Sequence, residues 1–462
     1  MASQTRRRFI GSLSVTLAAS QLAEGFAQAA APSWRLAAFN VDVTPRIGHP
    51  LLGNLYRPST GVDDPLSARG LVLYGPAPAI VIVAVDWCEL RNDAFDRWRQ
   101  ALAEAAKTTT YRVLVTAVHQ HDAPYFDLTA QRFLAASSPG GLFCDVDFHE
   151  RTVQRVAEAV KKSLDAGQPV THVGTGQAKV EEVASNRRVV LPEGKPVFHR
   201  GSSCRDPLLR SLPAGEIDPW LKSISFWNGA TPLAVLSSYA CHPMSYYGSG
   251  AISGDFVNMA RDRRQQDDKS VFQVYTSGCC GDVTAGKYND GAKPNRPVFA
   301  DRLYRGMVDS FQATKKSPLE KIVCRSVPMT LPYSELASLQ KDALEKTMNN
   351  GQLSLRARAD AALGLSTLAR NSKGLDIDLQ VIDLGVAQMA LLPAESFVSY
   401  QLKAQELKPD GFVMAIGFGQ SSAGYLPTDA AFREGFREQH GYCWVAPGSE
   451  AIMHETLKKA LA

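Results

Sequence analysis

No two cysteines in this 462-residue sequence have Cys-x-x-Cys spacing, although eight cysteines are present. A thiolate zinc site is therefore not indicated. Cys279 and Cys280 are adjacent and poorly placed to bridge each other, and nothing assigns a histidine to either one as a cysteine nucleophile. No segment after the N-terminal region offers the roughly 20 uninterrupted apolar residues of a spanning helix. No basic stripe interleaved with aromatics is present, and three positive charges of the net +4 are Arg6, Arg7 and Arg8. A phosphate-tracking surface for nucleic acid is therefore not expected. The Gly-x-Ser-x-Gly nucleophile elbow and the Gly-x4-Gly-Lys-Ser/Thr phosphate loop are both missing. So are internal repeats and low-complexity blocks.

What is present begins at the N-terminus. Thr5-Arg6-Arg7-Arg8-Phe9-Ile10-Gly11 sets arginines ahead of an apolar residue, a weakly apolar stretch from Ser12 to Ala19 follows, and Ala27-Gln28-Ala29 has small-x-small form. Charge, apolar and small-residue segments in that order read as a twin-arginine export signal over residues 1–31. The expected mature domain is residues 32–462, periplasmic or secreted. That route carries proteins folded in a reducing cytosol, so disulfides are optional and buried free thiols are expected.

Along the mature chain, apolar runs alternate with helical patterns. Gly70–Tyr74, Ala79–Asp86, Tyr111–Val118, Leu233–Ala240, Val271–Thr276, Val386–Leu392 and Gly411–Ile416 read as strands, and Leu375 to Val381 alternates as a half-buried one. Asp93–Lys107, Phe148–Ala166 and Ser449–Leu461 read as helices. Ser334–Met348 and Leu353–Arg370 read as a helical hairpin broken at Asn349-Asn350-Gly351. The polar stretch Gly201–Pro219 reads as a long surface loop. The fold class is α/β, a mixed β-sheet core with flanking helices.

Three apolar strands end in residues able to bind a metal. Val118-His119-Gln120-His121 follows the first, and extended backbone would project both histidines to one side. Each element alone is ambiguous: His-x-His is a weak pattern, His242 after Tyr239-Ala240-Cys241 reads as structural, and Glu395 after Leu391-Leu392-Pro393-Ala394 reads as a helix N-terminal charge. Together they make two imidazoles and a carboxylate, a familiar set for catalytic zinc, though other first-row metals share it. The Gly-rich run Ser277 to Thr284 follows another strand, and its glycines would let backbone amides approach a ligand, or would form a plain strand-to-helix turn. Ser253-Gly254-Asp255 is equally open.

In this order the segments resemble the catalytic domain of the neutral ceramidase family. Asp42-Val43-Thr44-Pro45, His119-Gln120-His121, Asn186-Arg187, His242, Gly281-Asp282-Val283-Thr284, Glu395 and Gly424-Tyr425-Leu426-Pro427-Thr428 follow that family's sequence of motifs, from about Phe39 to Arg437. The resemblance implies zinc held by His119, His242, Glu395 and Tyr425, His121 beside the bound water, Arg187 on substrate or oxyanion, and Thr284 on the pocket wall. It implies hydrolysis of an amide (N-acyl) bond in a small-molecule or lipid substrate. Hydrolysis of another amide, ester or lactone, or binding without turnover, are the rival readings.

The departures concern the substrate. Asp122-Ala123 replaces the family's Ser-Gly, and Arg437 falls where a second family tyrosine is expected. The sequence also stops soon afterwards, without the family's immunoglobulin-like C-terminal domain. With Asp255 and Asp282, Asp122 and Arg437 are expected near the substrate. Charges there would favour an amide smaller or more polar than ceramide.

Overall fold

Six residues, Ile-Val-Ile-Val-Ala-Val at Ile80–Val85, form a strand buried along its whole length. β-branched side chains fit a pleated surface, and a run without polar alternation requires cover on both faces. The computed structural model describes residues 34–462, and the expected twin-arginine signal lies outside the described residues.

Three sheets are built on one plan. The first orders its strands Val113–Ala117, Ile80–Val85, Ser67–Tyr74, Trp34–Asp42 and Gln168–Val170. The second runs Phe272–Ser277, Thr231–Tyr239, Trp220–Asn228, His172–Lys179 and Lys315–Pro318, and the third runs Val323–Met329, Ile377–Asp383, Ala387–Leu391 and Phe412–Ile416. Each sheet is antiparallel except for one parallel pair at its edge. Parallel neighbours need a crossover. Helices Asn92–Ala105, Asp255–Asp267 and Val398–Glu406 supply the three.

The carboxyl ends of these parallel pairs meet. The Ala117 amide donates to the Phe418 carbonyl (3.1 Å), and the Gly417 amide donates to the Ser277 carbonyl (2.8 Å). The Ser277 hydroxyl donates to the Val118 carbonyl at 2.8 Å. Chain following all three sheets therefore converges on one place, the usual position of ligand sites in sheets with crossovers.

The α/β class with mixed sheets and flanking helices is as expected. The C-terminal helix is Ser449–Leu461, and the helical hairpin is Lys341–Met348 with Leu355–Ser372. Ser334–Gln340 is not part of it. The Ser334 amide is spent on the Trp444 carbonyl, leaving only a short 3-10 turn at Ala337–Leu339. Gly201–Pro219 is no plain surface loop either. It holds a short helix, Pro207–Ser211, capped by Asp206, and the buried Arg200 guanidinium donates to the carbonyls of Leu209, Leu212 and Ala214. All eight cysteines are unpaired. Among the described residues no helix is long and apolar enough to cross a membrane.

Candidate active site

His119 stands two residues past Val113–Ala117, His242 three past Thr231–Tyr239, and Glu395 four past Ala387–Leu391. The expected pleat does not carry the His119–His121 pair. His119 has φ 77°, so the chain bends in left-handed conformation. The bend still brings the rings together, their centroids 5.1 Å apart and nearly perpendicular. Ala394 (φ 55°) and Phe418 (φ 56°) are also left-handed. Phe418 stacks on the His119 ring at 4.1 Å, and its amide donates to the Ala394 carbonyl. Such conformations cost about 1–3 kcal/mol each and persist where surrounding contacts enforce them, commonly at functional sites.

His119 Nδ1 lies 2.9 Å from the Cys88 carbonyl. His242 Nδ1 lies against the Cys280 carbonyl and 3.2 Å from that of Val283. Carbonyls only accept, so Nδ1 carries a hydrogen in both rings and Nε2 is the nitrogen left to bind a metal. Both Nε2 atoms face one carboxylate oxygen: Glu395 Oε2 is 3.0 Å from His242 and 3.6 Å from His119. All three side chains are buried, and His119 Nε2 has no hydrogen-bond partner. Electron-pair donors packed this closely away from water repel unless a cation or proton sits among them. Against burial, the two imidazoles hold Glu395 well below the usual carboxylate range. The donor set fits a first-row divalent cation. A second grouping, Cys88 with His119 and His121, fits less well. It needs the His119 nitrogen already committed to the Cys88 carbonyl, and burial keeps the thiol protonated.

Two solved structures share this architecture. Neutral ceramidase from Pseudomonas aeruginosa superposes with a TM-score of 0.67 at 15% identity, covering 93% of this chain and 74% of that one. A ceramidase complexed with C2 gives a TM-score of 0.67 at 16% identity, covering 93% and 75%. The chain has the ceramidase fold. No protein-family model matches the sequence, and comparison with curated proteins finds no match.

Around the donor set the remaining expected residues separate into two groups. Tyr425 is in register with Glu395 in a short parallel ladder, and its hydroxyl accepts from Arg187 Nη1 at 2.7 Å. Arg187 Nη2 lies 3.4 Å from His242 Nε2, so the buried guanidinium sits directly behind the donor set. His121 faces the open side, and its Nε2 has no partner. Burial, with His119 and His242, holds His121 well below the usual imidazole value.

The second group does not line the cavity. The Thr284 hydroxyl donates to the Gly201 carbonyl. Asp122 Oδ1 accepts the Gly248 amide, tying two loops. Asp255 accepts the Ser245 amide and lies 3.7 Å from Arg296. Asp282 accepts from Asn186 Nδ2 and the Val398 amide, while its carbonyl accepts the Arg187 amide, so it positions Arg187 from behind. Arg437 lies over the Phe432 ring and donates to the Val445 carbonyl. These five are spent on scaffold bonds. The glycine-rich run is also scaffold: it enters the two-residue strand Val283–Thr284, not a helix, and a Cβ on Gly281 would stand 2.1 Å from the Glu395 carbonyl. Its glycines let backbone approach backbone.

The cavity in front of the donor set measures about 210 Å3. It is lined by Leu52, Gly53, Leu55, Glu89, His121, Tyr247, Arg356, Glu395, Tyr425, His440 and Tyr442. Glu89, Arg356 and Tyr442 are among the lining residues that sequence reasoning missed. Tyr442 stands beside Tyr425 because the Tyr425 amide donates to the Tyr442 carbonyl. Its hydroxyl donates to Glu89 (3.0 Å) and accepts from Arg91 (3.1 Å). Burial and the Glu395 charge push Glu89 upward. Its only signal was an acid just past the apolar run Ile80–Val85, four residues after Val85.

Proposed function

We propose that this chain is an exported, zinc-dependent hydrolase of an amide (N-acyl) bond. One observation carries the reading: on a ceramidase fold, His119 Nε2 and His242 Nε2 converge on one oxygen of the buried Glu395 carboxylate. Those three residues would hold the metal, with the Tyr425 hydroxyl beside them. Zinc, when bound, supplies a Lewis acid that polarises the scissile carbonyl and acidifies water toward a pKa of about 7.

The chain's own residues do the rest. His121 lines the cavity, its Nε2 has no protein partner, and the ring would take a proton from the attacking water. The same nitrogen returns the proton to the leaving amine, and the depressed pKa of the buried ring makes it a ready proton donor once charged. Arg187 fixes the Tyr425 hydroxyl, and its buried charge favours negative charge building on the substrate oxygen. The substrate is a small-molecule or lipid amide, and export uses the twin-arginine machinery through Thr5 to Gly11.

The test is metal analysis of the purified mature protein with a panel of N-acyl amines and esters. One zinc per chain, lost in His119→Ala together with most turnover, is expected. A folded protein that carries no metal and ignores chelators would sink the proposal, and esters cleaved in place of amides would move it to another bond.

A further inference from the structure

We propose that the cavity takes an amide bearing a carboxylate, such as an N-acylated amino acid, and that Arg356 selects it. The inference rests on the amide-hydrolase reading above and names the substrate class of that same site.

Arg356 is the second residue of helix Leu355–Ser372, and its side chain reaches the cavity wall. Its Nε donates to Asp360 Oδ2 at 2.8 Å. The guanidinium lies 5.3 Å over the Tyr56 ring, which supports its flat face. The two terminal nitrogens donate to no protein acceptor, yet the side chain is only 29% exposed. Arg356 lines the cavity, and a guanidinium whose terminal N–H groups have no protein acceptor is a planar fork able to pair two-pronged with a carboxylate.

The rest of the wall agrees. No lysine lines the cavity, and Arg356 is its one arginine. Arg356 is then the one permanent cation among the cavity's lining residues. Only Leu52 and Leu55 offer aliphatic side chains. Pockets for drug-sized ligands run from about 300 to 1,000 Å3. At about 210 Å3 this one holds a compact polar group, and a long acyl chain would have to lie outside it. The charge expected from Arg437 beside the scissile bond is thus supplied by Arg356.

The experiment compares kcat/KM of the zinc-loaded protein for N-octanoylglycine and N-octanoylethanolamine, which differ by carboxylate against hydroxymethyl. The wild type should favour the acid by about tenfold, the worth of one charge-assisted pair. Arg356→Met should abolish the preference and Arg356→Lys should restore part of it. Asp360→Asn removes the ion pair but keeps the guanidinium, so it should keep the preference. Equal rates for both amides, an unchanged ratio in Arg356→Met, or equal loss in Asp360→Asn would overturn the proposal. If neither amide is cleaved, the hydrolase reading fails, and calorimetric binding of N-octanoylglycine decides the anion site separately. About tenfold weaker binding in Arg356→Met supports it, and equal affinity overturns it.

Discussion

Acidification should weaken this protein through His149. The ring is fully buried among aromatic rings, with centroids 5.0 Å from Phe126, 6.1 Å from Trp87 and 6.5 Å from Trp98. Neither ring nitrogen has a hydrogen-bond partner. Burial lowers its pKa from 6.5 to about 4. Above pH 6.5 the imidazole is neutral in folded and unfolded chains, and folding gains or loses nothing. Below 6.5 the unfolded chain binds a proton that the folded chain refuses until about pH 4. Stability therefore falls with pH across that window by ~1.4 kcal/mol per pH unit, ~3 kcal/mol in all. His49, also lowered to about 4 by burial, adds to the wild-type slope with the same sign. Urea unfolding from pH 7.5 to 4.5 should show the difference between wild type and His149→Phe narrowing or reversing by one proton's worth, whatever constant offset the new ring brings. Parallel curves would refute the reasoning, because they would mean that His149 protonates as readily folded as unfolded.

Arg91 and Asp127 are a fully buried ion pair, and Arg91 also donates to the carbonyls of Ser421 and Ser422. Arg91→Met leaves the Asp127 charge unpaired and should cost about 3–5 kcal/mol in denaturant unfolding. Gly281→Ala drives a methyl group into the Glu395 backbone carbonyl, which cannot yield as a flexible side chain would. It should cost about 1–3 kcal/mol, with lower metal content by elemental analysis. Thr284→Val removes the bond to the Gly201 carbonyl and should cost about 1 kcal/mol in unfolding. Metal content and amide turnover should not change, against the pocket-wall role that the family resemblance implies for Thr284.

Local residue patterns carried most of the secondary structure. The run Ile80–Val85 could only be a doubly covered strand, and the periodicity of Ser449–Leu461 gave that helix its observed bounds. The metal-binding candidates His119, His242 and Glu395 were also readable, because each follows an apolar strand and strand ends in such folds face ligands. Arg356, Glu89 and Tyr442 were not. Arg356 reads as one more polar residue on an amphipathic helix, Glu89 as an acid in a strand, and Tyr442 as a residue five places from where the motif order put a tyrosine.

Sequence alone determined the most strongly patterned strands and helices, and which of those strand ends carry imidazole or carboxylate, since these depend on neighbours within a few positions; strands such as Trp34–Asp42 and Trp220–Asn228 and helices such as Asp255–Asp267 and Asn295–Gln312 became visible only in the fold. Tertiary structure decided which ends meet. Glu395 joins His242 across 153 positions, and Tyr442 reaches Glu89 across 353. The left-handed turns at His119, Ala394 and Phe418, which aim the site, are conformations that no non-glycine residue there prefers locally. They exist because three sheets lock together at their parallel edges, and a sheet-to-sheet contact leaves no periodic trace in the chain.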